Sequence, residues 1–197
     1  MVLIRKSHTT LNFPLSRRRK GNSCQPFTDH FEQADYSVEE LLDLELNSNR
    51  ARASFIAGLN AIFRYLSLCA KTVHCKDDEP QQCALQLPSV IETNQKILLV
   101  GFQPRFLQTL ASIGQVRVID LDQENIGKKI SSIMIESSER TSEAIDWCDL
   151  IFATGSTVVN GTITNFLTKQ KLVLFYGVSI SAAAKILNLK TYCHCGH

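Results

Sequence analysis

Residues 149–167, with the sequence DLIFATGSTVVNGTITNFL, decide the fold class of this chain. The apolar run from Leu150 to Ala153 is typical of a strand that is buried on both faces, as in a parallel sheet. Glycine, serine, threonine and asparagine residues follow at once, and an amphipathic run comes after them. Because turns from a strand into a helix favour these residues, the segment predicts a turn that either only redirects the chain or also binds a ligand.

Apolar runs with the length of strands alternate with helical patterns from residue 96 onwards. The spacing predicts strands at 97–100, 116–119, 149–153, 172–175 and 190–193. It predicts helices at 104–113, 141–147, 162–168 and 181–187. This alternation predicts an α/β fold, with a Rossmann-like, doubly wound and mainly parallel sheet.

The sequence before residue 96 predicts a small α+β region. Residues 1–30 are short apolar stretches broken by prolines and a glycine, which favour loops and edge strands. A capping box at Ser37 predicts a helix to about residue 46, and helical spacing predicts a second helix over 51–68. We therefore expect a small N-terminal region at 1–68, a linker or loop at 69–95 and a Rossmann-like domain at 96–197.

The composition excludes several classes of protein. The 197 residues are 44% hydrophobic and 20% charged, with a net charge of +2. That balance lacks the basic excess of a nucleic-acid binder, and no apolar run approaches the roughly 20 residues of a membrane span. Seven cysteines without a secretion signal predict reduced thiols and a cytoplasmic protein. The first 28 residues lack Asp and Glu, so an organelle transit segment is an alternative to an exposed basic loop.

Small polar residues stand at the ends of several predicted strands. Ligands of open parallel sheets bind beyond the carboxyl ends of the strands, where glycines, hydroxyls and helix N–H groups favour an anion. The candidate ligand-binding residues at these ends are Gly101, Asp120, Thr154, Gly155, Ser156, Thr157, Asn160, Gly161 and Thr162. A dinucleotide is less expected, because the first turn has one glycine of the G-x-G-x-x-G fingerprint, although Asp120 stands where a ribose-binding acid would.

Six stretches of the sequence together form a recognisable pattern. They are KILLVGF (96–102), VID (118–120), NIG (125–127), WCDL (147–150), ATGSTVVNGT (153–162) and GLNAI (58–62). This pattern resembles the putative heavy-metal chelation domain family of archaea and bacteria. The resemblance spans roughly residues 35–190, and its most specific part is the Thr-Gly-Ser-Thr and Asn-Gly-Thr block after the third strand.

The resemblance implies a small domain similar to the N-terminal domain of enolases, followed by a Rossmann-like domain. It implies metal handling, with a suggested link to anaerobic cobalamin biosynthesis, and a cleft lined by Asn60, Ser156, Thr157, Asn160 and Thr162. The chain departs from the family in two places. Its first thirty residues are short for the N-terminal domain, and the loop at 177–181 lacks a proline.

The end of the chain is rich in metal-ligand residues. Cys193, His194, Cys195 and His197 are soft or borderline ligands that suit zinc, nickel, copper or cobalt. Neighbours in so short a run cannot all face one ion, so other ligands from His74, Cys75, Cys83 or a second chain would be needed. A loosely held terminus that binds metal adventitiously is the alternative.

Two functional hypotheses follow, and a third is kept beside them. The first is a binding protein for a heavy metal or a small anionic metal-chelating ligand, with a divalent transition metal as the expected cofactor. The second is an enzyme that uses a nucleotide-like cofactor in the same cleft, although no catalytic residue is identified. The third is a degenerate protein-interaction module. The expected partner is a metal or small molecule, a homo-oligomer is left open, and neither nucleic acid nor a membrane is expected.

Overall fold

Two sheets and seven helices make up the described parts of the chain. The computed structural model describes residues 2–6, 9–13, 34–167 and 170–197. The first sheet contains β1 (Val2–Lys6), β2 (Thr9–Phe13) and β3 (Ala34–Ser37), in the order β2-β1-β3. Strands β1 and β2 are antiparallel, whereas β1 and β3 are parallel. The basic run at 17–20, together with His8, Cys24 and His30, lies outside the described residues.

A seven-stranded sheet forms the larger part of the molecule. Its strands are β4 (Lys96–Val100), β5 (Gln115–Asp120), β6 (Lys129–Ile130), β7 (Ile133–Ser137), β8 (Leu150–Thr154), β9 (Leu172–Tyr176) and β10 (Thr191–Tyr192). They follow the order β10-β9-β8-β4-β5-β7-β6, and every neighbouring pair is parallel except β6 with β7. This topology confirms the predicted α/β class.

Seven α-helices accompany the sheets. They are α1 (Val38–Leu42), α2 (Asn49–Tyr65), α3 (Glu79–Leu85), α4 (Pro104–Ile113), α5 (Thr141–Trp147), α6 (Thr157–Asn160) and α7 (Ser181–Leu187). Short 3-10 turns cover Leu87–Ser89, Ser138–Arg140 and Ile163–Phe166. In these described parts, no helix has the length and apolar character needed to cross a membrane.

Strand β4 lies in the middle of the larger sheet, and its side chains are buried on both faces. Ile97 and Leu99 belong to a core layer with Leu87 of the 3-10 turn and Leu107 of α4. Leu98 packs in a second layer with residues of α5 and α7. A strand covered on both sides needs a continuous apolar run, which explains why this segment is recognisable in the sequence.

The local chemistry at the start of α4 explains why the chain turns there. The Gln103 side chain accepts a hydrogen bond of 2.7 Å from the N–H of Phe106, which satisfies one of the free donors of the first turn. Pro104 occupies the first turn, where its missing N–H costs nothing, and the helix ends at Gly114. The predicted helix over 104–113 is confirmed.

The structure corrects several expectations at the level of single elements. The expected linker at 69–95 contains α3, and Cys83 and Ala84 of this helix are buried in the same core layer as β4. The expected helix at 162–168 is instead α6 followed by the 3-10 turn, because Gly161 has a φ of +79° and ends α6. The hairpin of β6 and β7 was not expected. The division into domains stays a prediction.

Candidate functional site

The parallel strands place their carboxyl ends at one edge of the sheet. We call this edge the carboxyl edge; it consists of the residues that follow β4, β5, β8, β9 and β10. The chain runs from β4 to β5 on one side and returns through β8 on the other, so the order of strands switches between β4 and β8. Ligands of this type of sheet bind at such a switch point. The segments of Gly101, Asp120 and Ser156 therefore share one edge, as the sequence predicts.

The switch point is closely packed around Gly101. A Cβ atom at this position would lie 2.8 Å from Thr154 Cγ2 and 3.1 Å from the hydroxyl of Tyr176. That hydroxyl donates to the carbonyl oxygen of Gly101 at 2.7 Å and contacts that of Val100 at 3.1 Å. The space beside Gly101 is thus filled by the side chains of Thr154 in β8 and Tyr176 in β9. Less room is therefore left for a ligand between β4 and β8.

Asp120 is engaged by the protein's own N–H groups. Its side chain is buried and accepts hydrogen bonds from Phe102 N at 2.9 Å, Leu121 N at 2.6 Å and Asp122 N at 3.0 Å. The side-chain amide of Asn125 adds a fourth at 3.1 Å. The carboxylate therefore ties the turn after β4 to the turn after β5. This geometry gives Asp120 a structural role and does not favour a contact with a ribose.

The polar side chains after β8 mostly bond within their own turn. Thr157 donates from its hydroxyl to the Thr154 carbonyl at 2.8 Å. The backbone N–H of Gly155 instead joins the turn to β9, because it donates to the Tyr176 carbonyl at 2.7 Å. The amide oxygen of Asn160 accepts from the N–H and the hydroxyl of Thr162 at 3.0 and 2.7 Å. These contacts fix the shape of the turn. Gly161 lies beside the guanidinium of Arg52.

Ser156 is the partly exposed hydroxyl of this turn. Its Oγ lies 3.3 Å from Thr154 Oγ1, which also faces the Ser156 N–H at 3.3 Å. Both contacts are long and therefore weak, so exchanging them for contacts to a ligand would cost little free energy. Among the predicted ligand-binding hydroxyls, those of Ser156 and Thr154 make the longest contacts within the protein.

Asn60 joins α2 to the loop between β9 and α7. Its side-chain N–H₂ donates to the carbonyls of Val178 at 3.3 Å and Ser179 at 3.2 Å, and its oxygen accepts from Ala182 N at 2.9 Å. The side chain is buried, and all these partners are backbone groups. Asn60 therefore stabilises the proline-free loop at 177–181, which is one border of the carboxyl edge.

Replacing Asn60 by alanine should leave three backbone groups, two of them buried and one partly buried, without their partner. We expect a loss of about 2 kcal/mol in the free energy of unfolding, because each orphaned buried group costs roughly 1–3 kcal/mol unless water reaches it. Urea denaturation of the variant measures the change. Alanine at the exposed Asn165 is the control. Equal stability of both variants would contradict the bridging role of Asn60.

The C-terminal residues form the part of the carboxyl edge that follows β10, and backbone contacts anchor them there. The carbonyl of His197 accepts hydrogen bonds from Thr72 N at 2.9 Å and Val73 N at 2.6 Å, and its N–H donates to the Val73 carbonyl at 3.0 Å. The Lys71 ammonium also donates to the carbonyls of Cys193 and His194. The segment 193–197 follows β10 directly, so its ligand-type side chains hold defined positions.

Cysteines from α3 and from the C-terminal segment pack on one core layer. Cys83 is buried in the core layer of β4, and Cys195 packs against the same layer. Burial is the main cause that raises the pKa of Cys193 and of Cys195. Two other thiols donate to backbone carbonyls, Cys69 to that of Ser181 and Cys148 to that of Ile145, and Cys148 is fully buried.

The histidines of this region have other roles. His197 pairs with Glu79 at 2.9 Å, and a hydrogen bond from the backbone of Lys76 is the main cause that lowers the pKa of Glu79. His194 is exposed, and burial lowers the pKa of His74. Across residues 2–6, 9–13, 34–167 and 170–197, no group of three or more His, Cys, Asp or Glu could hold a metal ion. The predicted set of Cys193, His194, Cys195 and His197 is not assembled as a unit.

The two parts of the carboxyl edge differ in what they could bind. Hydroxyls, amide groups and one fully bonded carboxylate at the switch point are poor ligands for a soft heavy metal, which prefers sulfur. They suit the oxygen atoms of a small anion. The thiols beyond β10 do fit a soft metal. The sequence marks Cys83 and the tail as ligand residues, but their packing on one core layer depends on the placement of α3.

An apolar groove lies elsewhere, between α2 and α7. Its volume is about 250 Å³, and its lining includes Phe55, Leu59 and Ile186, with Arg52 as the polar residue. Arg52 donates from Nε to the Val159 carbonyl at 2.7 Å, so its guanidinium already joins α2 to α6. The groove offers no ligand for a metal.

Comparisons with known proteins add a family and two solved structures. The model of the DUF364 family, described as "Putative heavy-metal chelation", matches residues 84–190. A DUF364 protein of unknown function from Pyrococcus horikoshii is 20% identical with a TM-score of 0.54, over 78% of this chain and 58% of that chain. Another from Desulfitobacterium hafniense DCB-2 is 14% identical with a TM-score of 0.45, over 71% and 51%. No curated protein matches. The chain thus spans a little more than half the length of each structure.

Proposed function

Because the chain belongs to the family described as "Putative heavy-metal chelation", we propose that it binds a heavy metal, or a small anionic chelate of one, at its carboxyl edge. The observation that supports this most is the convergence of two kinds of donor on that edge. Hydroxyl and backbone groups lie at the switch point between β4 and β8, and the thiols of Cys193 and Cys195 follow β10. Both donor types are needed to recognise a soft ion and the anionic groups around it.

The strand order sets how the two parts relate. Strands β10, β9, β8 and β4 are consecutive in the sheet, and neighbouring strands lie roughly 5 Å apart. The thiols and the switch point are therefore separated by about 10–15 Å along the edge. One ion cannot contact both parts across that distance. A larger chelate could contact both, or each part could bind a ligand of its own.

Thermal denaturation with a panel of ligands tests the proposal. The panel contains Cu(I), Zn(II), Ni(II), Co(II) and Cd(II) alone, their citrate complexes, and nucleotides with S-adenosylmethionine. A ligand that binds the folded state adds about 2.7 kcal/mol when its concentration is 100 times its Kd, so we expect metals or their citrate complexes to raise Tm. Stabilisation by nucleotides alone would contradict the proposal and favour an enzyme with a nucleotide-like cofactor. No stabilisation by any ligand would favour a protein-interaction module.

Alanine at Ser156 separates the two parts of the edge. The Ser156 hydroxyl makes one long contact within the protein, so its removal should change stability by less than about 0.5 kcal/mol. Binding of a citrate complex should weaken if the switch point holds its anionic groups, whereas binding of the bare ion at the thiols should not change. Isothermal titration calorimetry measures both affinities. Equal binding of the complex by the variant and the wild type would remove the switch point from the proposal.

A further inference from the structure

The apolar groove between α2 and α7 has a cationic residue in its wall. The α2 side of the groove is one helical face, which consists of Arg52, Phe55, Ile56 and Leu59. Because an α-helix rises about 1.5 Å per residue, the stretch of α2 from Arg52 to Leu59 is roughly 10 Å long. Arg52 comes first along this face, so the groove combines an apolar body with a positive charge at one end.

The other walls of the groove are apolar side chains that are open to water. Ile186 and Leu187 of α7 are 56% and 51% exposed, and Leu46, in the loop before α2, is 43% exposed. Apolar surface that is shared by neighbouring residues and left in water often marks a binding site. A ligand with an apolar body would remove this surface from water, which the hydrophobic effect favours.

The guanidinium of Arg52 has spare donors and an unpaired charge. Of its five N–H groups, one on Nε donates to the Val159 carbonyl at 2.7 Å. The Nη atoms donate to the Leu46 carbonyl at 2.8 Å and to the side-chain oxygen of Asn49 at 2.5 Å. All three acceptors are neutral, and no carboxylate in the described part of the chain forms an ion pair with Arg52. Within that part, two N–H groups and the positive charge are left for an anion.

We propose that this groove binds a small carboxylic acid with an apolar body, of the medium-chain fatty acid type, with its carboxylate at Arg52. The planar guanidinium matches the two oxygen atoms of a carboxylate. The acyl chain lies along Phe55 and Leu59. The groove volume of about 250 Å³ is below the usual range for ligand pockets, so it favours a medium chain over a long lipid. This site is independent of the proposed function, and no metal takes part in it.

The charge pattern of the groove selects this class of ligand. A neutral apolar molecule would cover Arg52 without giving its charge a partner, and burying an unpaired charge is costly. A ligand with several charges would place some of them against Phe55, Leu59 and Ile186, which offer no polar partner. One negative charge at the end of an apolar body avoids both costs.

Isothermal titration calorimetry with octanoate, on the full chain in buffer with EDTA, tests the site. The wild type should bind one octanoate per chain with a Kd below about 1 mM. Octanol has the same apolar body without the charge, and butyrate has the charge with a shorter body. Each should bind at least about tenfold more weakly than octanoate.

Variants of the full chain locate the ligand. Arg52→Gln removes the charge, and Ile186→Asp places a carboxylate on an exposed wall of the groove, so each should weaken octanoate binding at least about tenfold. Arg52→Lys keeps the charge but loses the planar fork, so its affinity should lie between those of the wild type and Arg52→Gln. Leu85→Asp, at a 61% exposed residue of α3 outside the groove, is the control and should bind like the wild type.

The inference is overturned if the wild type does not bind octanoate, or binds octanol equally well. Wild-type affinity in folded Ile186→Asp or folded Arg52→Gln also overturns it. Because Arg52 joins α2 to α6, circular dichroism checks the fold of its variants. If these do not fold, Ile186→Asp and the comparison of octanoate with octanol decide. The proposed function stands in every case, because EDTA keeps heavy metals out of the assay.

Discussion

Replacing Gly101 by alanine is expected to destabilise the protein by about 3 kcal/mol. Gly101 has a φ of +84°, and an L-residue in this left-handed region costs roughly 1–2 kcal/mol. The added Cβ would also lie 2.8 Å from Thr154 Cγ2, and such overlap in a packed region costs typically 1–3 kcal/mol. Both effects add because they have separate causes. Urea denaturation followed by circular dichroism measures the loss.

Gly127 provides a matched control for this substitution. Its φ of +82° is nearly the same, but a Cβ there would meet no atom within 4 Å. Alanine at Gly127 should therefore show the backbone cost alone, about 1–2 kcal/mol. The difference between the two variants isolates the packing of β4 against β8 at the switch point. Equal losses would mean that the switch point is more open than the structure shows.

Replacing Asp120 by alanine should cost about 3 kcal/mol. The substitution leaves three backbone N–H groups and the Asn125 amide without their acceptor, and a buried donor without a partner costs roughly 1–3 kcal/mol. Water entering the space left by the carboxylate offsets part of the sum. The turns after β4 and β5 should also loosen. Hydrogen exchange at Phe102 and Leu121 reads out that loosening, and urea denaturation reads out the stability.

The exposed Asp146 provides the control for Asp120, and its alanine variant should change stability by less than about 0.5 kcal/mol. Asparagine at position 120 gives a second comparison. It keeps one acceptor oxygen, but its amide N–H₂ would face two of the donors. We expect it to lose nearly as much as alanine. Full stability of the asparagine variant would show that the carboxylate does not hold the two turns as described.

Much of the fold could be predicted because its central strands are continuous apolar runs. A strand buried on both faces, such as β4 or β8, needs apolar residues at every position, so its pattern does not depend on other parts of the chain. Capping and turn residues such as Gln103 and Pro104 are equally local signals. The edge shared by Gly101, Asp120 and Ser156 follows from parallel topology alone.

The elements that the sequence did not predict lack such local signals. Residues 69–95 were expected to be a linker or loop, but Pro80 lies in the first turn of α3, where proline is compatible with a helix. Ser131 and Ser132 connect β6 to β7 with φ values of +51° and +68°. Two-residue hairpins with positive φ usually contain Asn-Gly or a similar pair, so Ser-Ser gave no indication of this turn.

The chemistry of the candidate site was harder to predict than its position. Asn60, Asp120, Thr157 and Asn160 are residue types that bind ligands, but here each bonds to backbone or side-chain groups of the protein itself. Whether a polar side chain is used internally depends on distances between segments, such as α2 and α7, that sequence spacing does not give. The same is true of Cys83 and Cys195, which pack on one core layer only because α3 lies against the sheet.

The proposed function also predicts where selectivity for the metal arises. Thiols beyond β10 would select a soft ion over magnesium or calcium, which prefer oxygen ligands. Hydroxyl and backbone groups at the switch point would act on the anionic groups of a chelate. A free ion would gain binding energy only from the thiols, whereas its complex would also gain binding energy from the switch point. The chain would therefore discriminate between the two.

Native mass spectrometry with elemental analysis, on protein purified without an affinity tag and exposed to heavy metals under reducing conditions, tests the central claim most directly. The account predicts one heavy-metal ion, or one metal chelate, bound to each folded chain. It also predicts that the mass returns to that of the bare chain when the protein is unfolded. A folded chain that shows only its own mass, with no metal above background after such exposure, would contradict the account.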